Sequence, residues 1–165
     1  MEAGNMPQDK LMKEMIEANK KIKVAAVASG YPISASSEFD PDHSINRAII
    51  NCNKFRTGPT AWGASFCDQN QWVQVCLIKP KIVTGVALQG RANEDQWVTW
   101  YKVMYSIDGI NWFYHESGKE YQGCYDRQTV IQHDFETPFK ARSVRIVPTK
   151  WHGHVSTCFE VYFID

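Results

Sequence analysis

The 165-residue chain has no apolar run approaching the ~20 residues a helix needs to span a bilayer. Its amino end, MEAGNMPQDKLMKEMIEANKKIKVAAV, has no apolar core ahead of a small-residue cleavage site, so no secretory leader is read from it. Asn-x-Ser/Thr sequons are missing. So is any excess of charge: 18 Lys+Arg balance 18 Asp+Glu, which removes the electrostatic footprint of a nucleic-acid binder. Cys52, Cys67, Cys76, Cys124 and Cys158 form an odd set without C-x-x-C spacing, so neither a zinc knuckle nor a complete disulfide framework is encoded. These absences point to reduced thiols and to a cytoplasmic protein, or one reaching the cell surface by an unconventional secretory route.

Catalytic signatures are absent too. There is no Gly-x-Ser-x-Gly elbow, no Gly-Lys-Ser/Thr phosphate loop and no His-Glu-x-x-His helix. Cys67 beside Asp68, and His115 beside Glu116, lack a third orienting residue nearby in sequence. A cysteine in a strand-rich chain is ordinarily a small buried apolar residue. A binding protein, not an enzyme, is expected.

What is present is aromatic and β-patterned. Aromatics make up 13% of the chain, with six Trp, in a length that suits one domain. Residues 8–23 read as a short helix, started by Pro7 and Asp9, with Leu11, Met15, Ala18 and Ile22 on one stripe flanked by Met12 and Ile16. Two turns of apolar seam do not hold a helix alone, so the stripe is expected to bury against the domain or against a second copy of the chain. Beyond it, KIVTGVAL places Ile82, Thr84, Val86 and Leu88 on one face, and WYKVMYSI alternates Tyr101, Val103, Tyr105 and Ile107. Asp108-Gly109 then breaks the run before NWFYH, which predicts a hairpin. Short strands without a strand–helix rhythm indicate an antiparallel sandwich or barrel. Trp62 reads as a core plug, and Trp72, Trp100 and Trp112, in or beside strands, as core.

Seven segments carry a likeness: ASSEFD, NRAIIN, TAWGA, NQWVQVCLIKPKIVTGVALQGR, QWVTWYKVMYSIDGINW, FKARSVRIVP and KWHGHVSTCFEVYF. In this order they resemble the coagulation factor 5/8 type C, or discoidin, domains, and among these the discoidin-type lectins. The resemblance implies an all-β, eight-stranded antiparallel jelly-roll β-sandwich of the galactose-binding-like kind over residues 29–165, preceded by an extension over 1–28 that carries the helix. It also implies that ligands meet the loops at one open end. Two departures stand out. Cys158 sits near the family's carboxyl-terminal cysteine, but no cysteine before Cys52 is there to pair with it. And Arg91-Ala92-Asn93 replaces the Arg-Gly-Asp of some discoidins.

A pyranose asks for an aromatic ring against its apolar face and fixed donors and acceptors around its hydroxyls. The loops offer Phe39, Asp40 and His43; Arg56; Arg91, Asn93, Asp95 and Trp97; and Trp151 with His152. Asp40 before Pro41 also reads as a turn former, and Trp97 as the closure of its loop's base. Trp151 and His152 read equally as contacts or as the floor of the ligand end, and His154 as a strand-entry residue. Relatives with carbohydrate-binding roles hold a structural calcium, toward which Asp40, Asp42 and Glu160 could offer hard oxygens, but INRAIIN replaces their Asp-Gly motif, so no cofactor is expected. The function expected is a lectin-like module for galactose or N-acetylgalactosamine glycans, acting in cell adhesion or glycan recognition, with a homo-oligomer supplying avidity. Anionic phospholipid binding, which Asp40, Asp42, Glu94 and Asp95 oppose, and an intracellular protein-interaction role are the alternatives.

Overall fold

Two long strands, each bent once, organise the computed structural model, which describes residues 6–54 and 58–165. They are β4 (Val73–Gln89) and β8 (Ile131–His152). Around them lie β1 (Val24–Ala25), β2 (Ile33–Ala35), β3 (Trp62–Gly63), β5 (Trp97–Ser106), β6 (Phe113–Tyr114), β7 (Tyr121–Gln122) and β9 (Ser156–Ile164). Every pairing between named strands is antiparallel.

The first half of β4 pairs with β2 and with the second half of β8, which in turn pairs with β5. The second half of β4 pairs with β9 and with the first half of β8. Both long strands therefore pass from one sheet to the other, making a two-layer sandwich that matches the expected class. The passage in β4 is a register break between Cys76 and Lys81. There Ile78 takes φ 69°, and Pro80 offers no N–H to a ladder. Extra residues on one strand bend it and increase its twist, which is how a strand turns a corner. Among the described residues nine strands are present, against the eight expected, and β1, β3, β6 and β7 are only two residues long.

Between the layers, Trp62, Tyr101, Phe159, Phe163, Leu77, Leu88 and Ile146 are fully buried. Trp62 is the expected plug, and its indole N–H donates to the Ser37 carbonyl at 2.7 Å, supplying the partner a buried Trp requires. The other tryptophans depart from expectation. Trp100 is 36% exposed, and Trp72 and Trp112 sit on the outer face with the Arg145 guanidinium between their rings at 3.9 and 3.8 Å. Period-two alternation places a residue on a face; it does not say which face is covered.

Pairing begins with Val24 opposite Phe163, and Ala26 and Val27 are in the core, so the residues just before 29 take part in the sandwich. Glu160, buried in β9, accepts the N–H groups of Val27 at 2.6 Å, Ala28 at 2.9 Å and Val161 at 2.9 Å. The helix α1 (Met6–Lys20) starts and ends earlier than the periodicity predicts. Leu11, Met12 and Ile16 are about half exposed and Ile22, beyond the helix, is 90% exposed. The side chains of Met15 and Ala18 lie outside the described residues. The described part of the stripe faces outward and is not packed on the sandwich as expected.

Candidate functional site

The end of β4 and the start of β9 pair at Gln89–Cys158, the start of β5 and the end of β8 at Trp97–His152, and β3 pairs with the start of β9. These registers bring the loops before β3, between β4 and β5, between β7 and β8, and between β8 and β9 to one pole. Gly153, in the last of these, has φ 75°, and a Cβ there would lie 2.4 Å from the Asp95 carbonyl. Only glycine lets the two loops touch at that point.

On one side of the pole Asp40 caps the short 3-10 turn Pro41–His43, accepting the N–H groups of Asp42 and His43. The same oxygen, Oδ1, takes the His43 ring at Nδ1, 2.6 Å away. A carboxylate only accepts, so the proton is on Nδ1, and in the neutral ring Nε2 is then the lone-pair nitrogen. That hydrogen bond holds the Asp40 carboxyl below its ordinary range. Asp40 is thus both the turn former and the orienter of His43. Phe39, 59% exposed, meets the edges of the His43 and His154 rings at 5.3 and 5.8 Å.

Arg91 follows along the same surface. Its Nε donates to Asn93 Oδ1 at 2.9 Å and its Nη1 to Gln96 Oε1 at 3.1 Å. Gln96 Oε1 also accepts from Ser156 Oγ at 3.0 Å. Gly63, beneath, lies against both His43 and Ser156, since a Cβ on it would sit 3.4 and 3.5 Å from them. The row from Phe39 and His43 through Gly63, Ser156 and Gln96 to Arg91 and Asn93 is continuous. Thr60 Oγ1 accepts from the Ala92 N–H at 3.0 Å and steadies the loop from below.

The far flank is different. Trp97 and His152 stack at 4.4 Å and 13°, a cross-strand pair, and Asp95 takes the Arg127 Nε at 2.7 Å. That contact holds the Asp95 carboxyl below its ordinary range. Asp95, Trp97, Asp126, Arg127 and Gln128 line a groove of about 370 Å³. Trp151, one residue before His152, is half-buried and packs against the core.

The F5/8 type C domain profile matches residues 32–161. The chain belongs to that family. It is 45% identical to a discoidin-1 subunit of Dictyostelium discoideum over 134 residues, 79% of this chain and 53% of that protein. Against mouse retinoschisin it is 31% identical over 123 residues, 72% of this chain and 54% of the relative. The chain spans about half the length of these curated relatives. Among solved structures, recombinant discoidin II of D. discoideum superposes with a TM-score of 0.81 at 29% identity, covering 87% of this chain and 60% of that one. The family 32 CBM from C. perfringens NanJ, solved with galactose, gives a TM-score of 0.67 at 23% identity, over 86% of this chain and 99% of that one.

Within this F5/8 type C domain, then, Phe39, Asp40, His43, Arg91 and Asn93 are brought together, Asp95, Trp97 and His152 form the adjoining flank, and Trp151 packs against the core. Arg56 lies outside the described residues. The calcium set does not assemble: Asp40 is occupied by His43 and its turn, and Glu160 by three backbone N–H groups. No group of three or more His, Cys, Asp or Glu among the described residues is placed to hold a metal ion. Cys67, expected to be buried, is exposed and lies 3.2 Å from His154 Nδ1. His154 Nε2 donates to the Ala64 carbonyl at 2.8 Å, so both ring nitrogens are occupied, as suits a strand-entry residue. Gln96, Ser156 and Arg127 escaped the sequence reading. Gln96 and Ser156 lie inside segments already singled out; Arg127 lies outside them and carries no local signal.

Proposed function

We propose that the loop pole binds glycans ending in galactose or N-acetylgalactosamine, without catalysis, in adhesion or glycan recognition at a cell surface. The observation that carries the reading is the continuous row at the pole: an exposed Phe39 ring, a His43 ring held by Asp40, and an Arg91 guanidinium held by Asn93 and Gln96. An aromatic ring suits the apolar face of a hexose, while a pre-oriented acceptor and pre-oriented donors suit its hydroxyls. That a NanJ module of the same fold was solved with galactose supports the sugar class. Affinity per site is modest. At about 0.3 kcal/mol per heavy atom, a hexose of about twelve gives ~4 kcal/mol, a millimolar Kd.

Titration with galactose, followed by calorimetry or by chemical shifts, tests this. His43→Ala and Arg91→Ala should each weaken binding by roughly ten-fold or more, about 1.4 kcal/mol, by leaving sugar hydroxyls without a partner. Wild-type curves for both would remove the row from the site. No response of the wild-type protein to galactose, N-acetylgalactosamine or their glycosides would end the proposal.

One observation favours membrane docking: Phe39, Phe66 and Tyr125 are exposed on the loops, 59%, 64% and 62%. Apolar tips of that kind insert into lipid when basic residues surround them. Here Asp40, Asp42, Asp68 and Asp126 flank them, and an anionic surface would repel these.

A further inference from the structure

Two of the five thiols meet in the core beneath the loop pole. Cys52 lies on the 3-10 turn Cys52–Lys54 and Cys158 in β9, and both are buried. Their Sγ atoms lie within hydrogen-bond reach of the same two carbonyls. Thr60 O is 3.4 Å from Cys52 and 3.0 Å from Cys158; Arg47 O is 3.4 and 3.7 Å away. Sharing both acceptors sets the sulfurs side by side, and Cys158 is in hydrogen-bond contact with Cys52 itself. The backbone on either side is held in register. Ile49 bridges Phe159, whose N–H donates to Ala48 O at 2.9 Å, and Asn51 exchanges two hydrogen bonds with Gln89, the strand partner of Cys158.

We propose that Cys52 and Cys158 are a latent disulfide, a covalent modification site that hydrogen peroxide closes. One sulfur, as thiolate, attacks a peroxide oxygen; the O–O bond breaks, leaving a sulfenic acid and, with the thiol proton, one water. The second sulfur forms the S–S bond and displaces the sulfenic hydroxyl, which leaves with the second thiol proton as another water. Two electrons pass from the sulfurs to the peroxide. The reactant is small enough for a site this closed, and forming the bond brings the neighbouring sulfurs to ~2.05 Å. Burial and the Cys52 contact hold the Cys158 thiol protonated, so the pair reacts more slowly than an exposed thiol. The bond closes a loop of roughly a hundred residues, which restricts the unfolded chain. It also ties the segment before β3 to β9. Thr60, whose carbonyl lies beside both sulfurs, accepts the Ala92 N–H on its hydroxyl, so the crosslink reaches the Arg91 loop.

The test uses Cys67→Ser, which removes the exposed thiol and leaves four. The protein is treated with hydrogen peroxide, denatured, alkylated with N-ethylmaleimide and mapped without reduction. We expect two of the four thiols to escape alkylation, one crosslinked peptide pair carrying Cys52 and Cys158, recovery by dithiothreitol, and a higher denaturant midpoint for the oxidised protein. Four alkylated thiols, or a crosslink through Cys76 or Cys124, would overturn the proposal. Adding Cys52→Ala should abolish crosslink and midpoint shift together; if that variant does not fold, the peptide map alone decides. The outcome is independent of glycan binding.

Discussion

Glu160 shows how one residue escapes a reading by type. Its place in the final strand and its carboxylate made it a candidate metal oxygen by resemblance, yet it is the clamp for the start of the sandwich, with three backbone N–H groups on its two oxygens. Burial raises its pKa above the ordinary 4.5, against the pull of those donors. A raised carboxyl contributes stability that is complete below the unfolded value, near 4.5, and is lost as pH rises through the folded value. Glu160→Gln should remove this decline from a plot of denaturant midpoint against pH. At low pH it should cost ~1–3 kcal/mol, because the amide sets an N–H against one of the backbone donors. At the same scale, Trp62 was legible from its small neighbours Ala61 and Gly63. Trp72 and Trp112 were not, because nothing near them in sequence announces Arg145, the cation they enclose.

At the scale of elements, hairpins and bends follow local chemistry. Asp108 and Gly109 do what their spacing predicts: the Asp108 carboxylate accepts the Ile110 and Asn111 N–H groups, and Gly109 takes φ 79°. Close approaches are invisible to such reading. Gly123, at the exit of β7, has the Val98 carbonyl 2.4 Å from where a Cβ would sit. Gly123→Ala should cost about 1–3 kcal/mol by forcing backbone apart, which chemical denaturation would register. The helix tests the reverse case. Leu11 and Ile16 face outward, so Leu11→Ser and Ile16→Ser should move the unfolding free energy by less than about 0.5 kcal/mol. A larger loss would mean that the stripe is covered in solution, as its periodicity predicted.

For the whole molecule, the two bent strands weld the sheets and leave one pole to the loops, where rings and charges of both signs alternate. That balance decides between surfaces. In a flotation assay the protein should ignore phosphatidylserine vesicles while binding densely displayed galactosides on an array, where many weak contacts add. Co-flotation with anionic vesicles, without response to galactosides, would transfer the Phe39, Phe66 and Tyr125 tips to a lipid-binding role.

Strand periodicity, turn chemistry and seven ordered segments determined by themselves the all-β sandwich and its family, because these signals are carried by neighbours in the chain. Tertiary structure alone decided which rings are covered, that Gln96 and Ser156 join His43 to Arg91, that Glu160 clamps backbone, and that Cys52 meets Cys158. Those facts depend on register between strands far apart in sequence. Register is set by the packing of the two layers as a whole, and no local spacing encodes it.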